Sequence, residues 1–168
     1  MKVGRMKNHC TDKFFSHEDA ERYGPSARHR RRILMSIIRK MNFRSCIDVG
    51  CGYGYMIQPL LEEGKIVSAC DLSPLLIERN KKMFPGVHFE TLDISSGSYS
   101  GGARFDMVIC GDVLESAKNW RQAFDNLCAM SRRYVLITVP SGKMHKFLEA
   151  RGHLRNFRKE DFEGPLRE

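Results

Sequence analysis

The stretch Ile47-Asp48-Val49-Gly50-Cys51-Gly52-Tyr53-Gly54-Tyr55 decides the fold. The run Cys46–Gly50 reads as a short strand ending in glycine, and glycines recur at alternate positions directly after it. Glycines there let the backbone turn sharply and approach a ligand closely. The dinucleotide fingerprint GxGxxG would need glycine at 50, 52 and 55. Position 55 is Tyr, and the third glycine stands at 54. Asp48 also puts a carboxylate inside the motif. That charge repels a pyrophosphate and attracts a cationic amino-acid group.

Outward from this turn, apolar runs alternate with amphipathic ones. Residues 53–64 read as a helix and 65–70 as the next strand. Residues 73–84 read as a helix with Ser73 as N-cap and Pro74 at the first helical position. Residues 86–93 and 105–111 are strands, separated by a Ser/Gly-rich loop. Residues 118–130 are helical, and 133–140 form a fifth strand closed by Pro140. Before the motif, the pair Gly24-Pro25 breaks the chain. A helix is expected over about 26–41, with Ile33, Leu34, Ile37, Ile38 and Met41 as its apolar stripe. Strands alternating with helices of this length predict βαβ units, hence an α/β fold with a parallel sheet and helices on both faces.

Acids recur at the strand ends. Asp71 follows the second strand, 21 residues after Gly50, a distance at which a carboxylate accepts hydrogen bonds from ribose hydroxyls. Asp93 closes the third strand, and Cys110-Gly111-Asp112-Val113-Leu114-Glu115 follows the fourth. Open α/β sheets bind ligands at this carboxyl edge.

Composition bounds the function. The 168 residues fit one domain, with 42% hydrophobic and 29% charged residues, which argues against disorder. No apolar run is long enough to span a bilayer, and residues 1–15 carry no secretory signal. The net charge of +8 invites an anionic partner. It is unevenly spread, however. Residues 1–44 hold 12 basic against 4 acidic residues, residues 45–115 hold 5 against 10, and residues 116–168 hold 11 against 6. An acidic centre between basic flanks suits a cofactor site at least as well as a nucleic-acid surface. Arg28, Arg30, Arg31 and Arg32 could track phosphates, but the stretch lacks interleaved aromatics for base stacking. The six cysteines, Cys10, Cys46, Cys51, Cys70, Cys110 and Cys128, form no CxxC pair, so no metal is expected. They read as reduced thiols, which points to a cytoplasmic protein.

IDVGCGYG, the acid of ACDLS, LDIS and FDMVICGDVLES together resemble successive motifs of class I S-adenosylmethionine-dependent methyltransferases. The resemblance covers roughly residues 20–165 and looks closest to single-domain small-molecule methyltransferases. It implies a Rossmann-like doubly wound sheet of five parallel strands in order 3-2-1-4-5. By it, Asp48, Gly50, Cys51, Gly52, Tyr53 and Gly54 would meet the methionine part of the cofactor. Asp71 and Leu72 would meet the ribose, Asp93 and Ile94 would flank the adenine, and Gly111 and Asp112 would face the cofactor from the fourth strand. Tyr23 sits where the N-terminal segment of such enzymes folds over the cofactor, so residues 1–44 are expected to form a basic helical cover and residues 45–168 the core.

Two departures stand out. Members of the group often carry Glu-His after the fourth strand, and this chain has Glu115-Ser116. Their domains also end in an antiparallel hairpin, for which the residues after Pro140 leave no room. The expectation is a truncated chain, or a bare fifth-strand edge completed by a second copy in a homodimer. On the acceptor side, GHLRNF resembles a segment bordering the substrate pocket, which makes His153 a candidate base together with His145. Lys143, Lys146, Arg151 and Arg155 would suit an anionic small substrate. The expected function is transfer of the methyl of S-adenosylmethionine to O, N or C of a small molecule, with S-adenosylhomocysteine as product. An RNA or protein methyltransferase, and a non-catalytic cofactor-binding domain, are the alternatives.

Overall fold

The computed structural model describes residues 25–96, 102–144, 146–150 and 152–163. Tyr23, His145 and Arg151 lie outside the described residues. In chain order the elements are α1 (Pro25–Ile38), β1 (Ser45–Val49), α2 (Ile57–Glu62), β2 (Ile66–Asp71), α3 (Pro74–Met83) and β3 (His88–Thr91). They continue with β4 (Phe105–Gly111), α4 (Trp120–Met130), β5 (Ser131–Thr138), α5 (Lys146–Ala150) and α6 (Glu160–Glu163). The strands form one sheet of order β3-β2-β1-β4-β5, and every neighbouring pair is parallel. This is the Rossmann-like doubly wound sheet that the motifs imply.

A parallel sheet covered on both faces makes its central strands apolar throughout. β1 and β4 accordingly run as almost unbroken buried residues. One face packs Leu34, Met35 and Ile38 of α1, Ile57 and Leu60 of α2, and Ile77 of α3 against Cys46, Ala69 and Ile109. The other packs Phe124, Leu127 and Met130 of α4 against Ile47, Val108 and Cys110. Between β3 and β4 no described residue is helical. Ile94 covers the sheet there, and Asn126 of α4 donates from Nδ2 to its carbonyl at 2.9 Å.

Among the differences from expectation, three stand out. The second helix starts at Ile57 rather than 53, because Gly52 to Met56 are used in the turn that leaves β1. In α1 the buried stripe is Leu34, Met35 and Ile38, whereas Ile33 and Ile37 are 46% and 38% exposed. The helix is turned so that Met35 takes the place expected for the two isoleucines. The fifth strand begins at Ser131, directly at the end of α4, where the Ser131 hydroxyl donates to the Tyr134 carbonyl and accepts from Arg133 N–H. The caps follow the sequence signals: Leu76 N–H donates to Ser73 Oγ with Pro74 opening α3, and Gln122 N–H donates to Asn119 Oδ1 at the start of α4.

β5 is the last strand at its edge of the sheet, with β4 as its one strand neighbour among the described residues. After Pro140 the chain returns so that Ser141 bridges Phe157 in parallel. Phe157, Phe162 and Trp120 meet edge-on or tilted at centroid distances of 5.1–5.8 Å, and they fasten the C-terminal segment to α4. An apolar groove of about 560 Å³ runs along this edge, lined by Val135, Ile137, Val139, Phe124, Phe157 and Phe162. No helix among the described residues is long and apolar enough to cross a membrane.

Candidate functional site

The parallel registers bring three strand ends level. Val49 stands beside Cys70 of β2 and beside Cys110 of β4, Asp71 beside Thr91 of β3, and Gly111 beside Thr138 of β5. The acids that follow these strands in sequence therefore gather on one edge.

The glycine turn is anchored to β2, whose Cys70 carbonyl accepts the N–H groups of Gly50 and Cys51 at 2.8 and 3.0 Å. Gly50 has φ +73°, and a Cβ there would stand 2.2 Å from Val113 Cγ2. No other residue fits between the β1 turn and the segment after β4. Gly52, at φ +51°, is different: a Cβ would meet nothing within 4 Å. The turn thus offers an open backbone face at Gly52 and a tightly packed one at Gly50.

Asp71 ties this turn to the next helix. Its Oδ2 accepts from Gly52 N–H at 2.8 Å, and its Oδ1 from Ser73 N–H at 2.9 Å. A carboxylate oxygen has room for two donors, so each keeps one acceptor position. Asn80 was not singled out from the sequence, yet it is fully buried and donates to the Gly52 carbonyl at 2.8 Å. The signal was available: a polar residue at i+3 and i+4 from Ile77 and Leu76 on the buried face of α3. Tyr53 is buried with its ring stacked on Tyr55 at 5.8 Å, under the Arg79 guanidinium at 4.9 Å. It lines, with Arg31, Gly54, Tyr55 and Arg79, a cavity of about 430 Å³. Leu72, just past β2, is 60% exposed, Asp93 is exposed, and Ile94 is buried. The Asp93 carboxylate accepts from Ser95 N–H and Oγ.

Asp48 is 5% exposed. Burial, and after it the charge of Asp71, pushes its carboxyl up to about 7. Each proton-affinity unit corresponds to about 1.4 kcal/mol between the two forms, so a cation brought alongside would restore the carboxylate. The Cys51, Cys70 and Cys110 thiols are raised by burial and are uncharged at neutral pH.

On the β4 side, Asp112 adopts φ +55°, its N–H donates to the Thr138 carbonyl, and its carboxylate accepts from Arg30 of α1. Both side chains of that ion pair are exposed by a third or more. Three residues on, Glu115 is fully buried, and neither carboxyl oxygen takes a hydrogen bond from another described residue. The imidazole of His153 faces it, Nε2 standing 3.9 Å from Oε1. Backbone holds the two together: Leu154 N–H donates to the Glu115 carbonyl at 2.8 Å. The Arg155 guanidinium donates to the carbonyls of Leu114, Ala117 and Lys118. Burial foremost raises the Glu115 carboxyl to about 7; its own backbone N–H opposes this, the charge of Asp112 adds to the rise and Arg30 opposes it. Among the described residues no three His, Cys, Asp or Glu side chains converge as metal ligands.

The structure thus brings Asp48, the Gly50–Gly54 turn, Asp71, Gly111 and Asp112 to one edge, with Glu115 and His153 beside it. Known proteins share this fold. The plantazolicin methyltransferase BpumL, solved with S-adenosylhomocysteine, superposes with a TM-score of 0.68 at 18% identity, over 90% of this chain and 66% of that one. The N-methyltransferase NodS from Bradyrhizobium japonicum, also solved with S-adenosylhomocysteine, superposes at 0.64 with 20% identity, over 79% and 70%. In sequence, the chain is 32% identical over 76 residues to the ubiquinone biosynthesis O-methyltransferase of Pseudoalteromonas translucida, which covers 43% of this chain and 32% of that protein. It is 32% identical over 104 residues to the mitochondrial ubiquinone biosynthesis O-methyltransferase of Schizosaccharomyces pombe, covering 57% and 38%. The chain spans about a third of the length of these curated relatives. A family model described as a methyltransferase domain matches residues 21–164, nearly the whole chain, and the protein belongs to that family.

Proposed function

We propose that this chain binds S-adenosylmethionine at the carboxyl edge of its sheet and transfers the methyl to a small molecule. The observation that carries the reading is the level gathering of Asp48, Asp71 and Asp112 around a glycine turn whose Gly52 face is open. The residues fit the cofactor. A cationic amino group beside the buried Asp48 carboxyl would favour its ionised form, Asp71 keeps two acceptor positions for ribose hydroxyls, and Gly52 leaves the backbone approachable. In this reading Asp48 and the Gly50–Gly54 turn, with Cys51 and Tyr53, hold the amino-acid end. Asp71 and Leu72 hold the ribose, Asp93 and Ile94 the adenine, and Gly111 and Asp112 close the side toward β4. When bound, the cofactor supplies a methyl already activated on sulfonium sulfur. The protein's task is then mainly alignment.

A small acceptor is favoured by the relatives, which are named for ubiquinone biosynthesis, and by structural neighbours named for plantazolicin and for a sugar. α1 belongs to the same reading as the start of a cover, since Arg30 already reaches Asp112 across the edge. His153, beside that edge, is the candidate base.

Titration calorimetry with S-adenosylhomocysteine tests the reading. One equivalent should bind, and Asp71→Ala should weaken binding about 10- to 100-fold, the value of one or two hydrogen bonds to a charged group. No heat from the wild-type chain, or an Asp71→Ala variant that binds equally well, would overturn it.

A further inference from the structure

The two edges of the sheet are built differently. β3, at one edge, is four residues long, His88-Phe89-Glu90-Thr91, and all but Phe89 are exposed and polar. A short edge strand that carries charge is a poor template for another chain. β5, at the other edge, is eight residues long. Its stretch Tyr134-Val135-Leu136-Ile137-Thr138 has neither charge nor proline, and all five residues are only half-buried. Its register with β4 is regular over these residues, and the one irregularity falls before Tyr134. An edge strand of this kind presents a row of outward N–H and C=O groups. On the α4 side, Val135, Ile137 and Val139 line the groove of about 560 Å³ together with Phe124, Phe157 and Phe162. The strand is closed at its far end, where Phe157 N–H donates to the Pro140 carbonyl at 3.0 Å. The sheet thus defends one edge and leaves the other open to pairing.

The charges at the two ends of β5 select the occupant. Arg132 and Arg133 stand at its start, and both are exposed. The segment 158–163, past its far end, carries two basic and three acidic residues. Lys159 is already matched there by Glu163 at 3.4 Å, and Glu160 is exposed. One end of the edge is therefore basic and the other bears the acids. A parallel strand from a second copy would set like charge beside like, whereas an antiparallel one sets the basic start against the acidic end. A two-fold axis between copies gives the antiparallel arrangement by itself, because it reverses the strand direction.

We propose that β5 pairs antiparallel with β5 of a second copy of this chain, joining the two sheets into one. The part of β5 and its exit that lines the groove, 133–139, is centred on Leu136, which places the axis there. Side chains alternate along a strand, so an axis normal to the sheet at Leu136 keeps the α4 faces of both copies on one side. It sets Val135 of one copy opposite the partner's Ile137, and Arg133 beside the partner's Val139, toward its α6. Each copy then covers the groove of the other, and the outward backbone groups of both strands find partners. The pairing also braces Thr138, whose carbonyl accepts from Asp112 N–H at the carboxyl edge. It is independent of what that edge binds.

Sedimentation equilibrium and amide hydrogen exchange on the full chain test the pairing. The chain should be a dimer at micromolar concentration. Amides of β5 should exchange more slowly as the concentration rises, while those of β3 stay unchanged. A chain that remains monomeric up to about 100 μM would overturn the proposal and leave the edge to a different protein. So would a dimer whose β5 amides exchange at one rate at every concentration, because its copies meet elsewhere. Ile137→Lys puts a charge into the groove and should weaken dimerisation about 100-fold or more. The exposed end charges give a second test that spares the core. Arg133→Glu and Glu160→Lys should each weaken the dimer about tenfold, and the double variant should regain most of the loss, since each copy then offers the reversed charge to the other. Losses that simply add in the double variant would overturn the antiparallel arrangement.

Discussion

In the half of the sheet built on β1 and β2, polar groups are bonded to backbone. Asp71 accepts from Gly52 and Ser73, Asn80 donates to Gly52, and Cys70 accepts from Gly50 and Cys51. In the half built on β4 and β5, the carboxylates at the edge face an arginine or a histidine instead. Asp112 meets Arg30 in an exposed pair, Glu115 takes no hydrogen bond from another described residue, and β5 borders an apolar groove. The contrast separates two tasks. A ligand held in one pose needs a backbone that is already arranged, and hydrogen bonds inside the protein provide that without reorganisation. In the other half the Glu115 carboxyl stands beside an imidazole, and its ionisation depends on the charges that come near it.

The seam between the halves is where the comparison breaks most easily. Gly50 of the first half packs on Val113 of the second, and a Cβ added at Gly50 would overlap it. Gly50→Ala combines that overlap with a left-handed backbone, and a loss of about 4 kcal/mol or more is expected in urea unfolding. Adding Val113→Ala should recover the steric share and leave the backbone share. Full recovery would show that packing alone selects glycine here.

The acid of the first half makes a smaller, pH-dependent contribution. The folded-state affinity of Asp48 is raised from 3.8 to about 7, so the folded chain binds more protons than the unfolded one between those values. Stability therefore falls as pH rises from about 4 to about 7, and levels off above. Asp48→Asn should flatten that slope by roughly 3 kcal/mol, while Glu115, raised likewise, keeps the remainder. Melting curves of the ligand-free chain across this range check it; a wild-type stability that rises from pH 4 to 7 would reverse the assignment. The smallest effect belongs to the exposed pair. Arg30→Ala should cost under about 1 kcal/mol, because solvent screens both partners. A larger loss would mean that α1 is held to the edge more tightly than its ion pair accounts for.

Much of this was legible in the chain before folding. Strand ends, caps and the acids at 48, 71, 93 and 112 are local signals, each carried by a few neighbouring residues. Asn80 and Glu115 were not legible in the same way. A buried polar residue in an apolar pattern shows that something unusual is present, but its partner lies far along the chain. The Glu115–His153 approach spans 38 positions and depends on how the segment after β5 returns. The shift of the buried face of α1 from Ile33 and Ile37 to Met35 has the same origin: a helix offers several apolar residues, and the sheet it packs on chooses among them.

The sequence by itself determined the parallel α/β order, the glycine turn and the acidic edge, because periodicity and turn chemistry act over a few residues. Only the tertiary structure decided which acids are held by backbone and which are left with a histidine. Burial and charge neighbours are properties of the packed molecule, and the strength of each carboxyl depends on what the fold brings within a few ångströms of it.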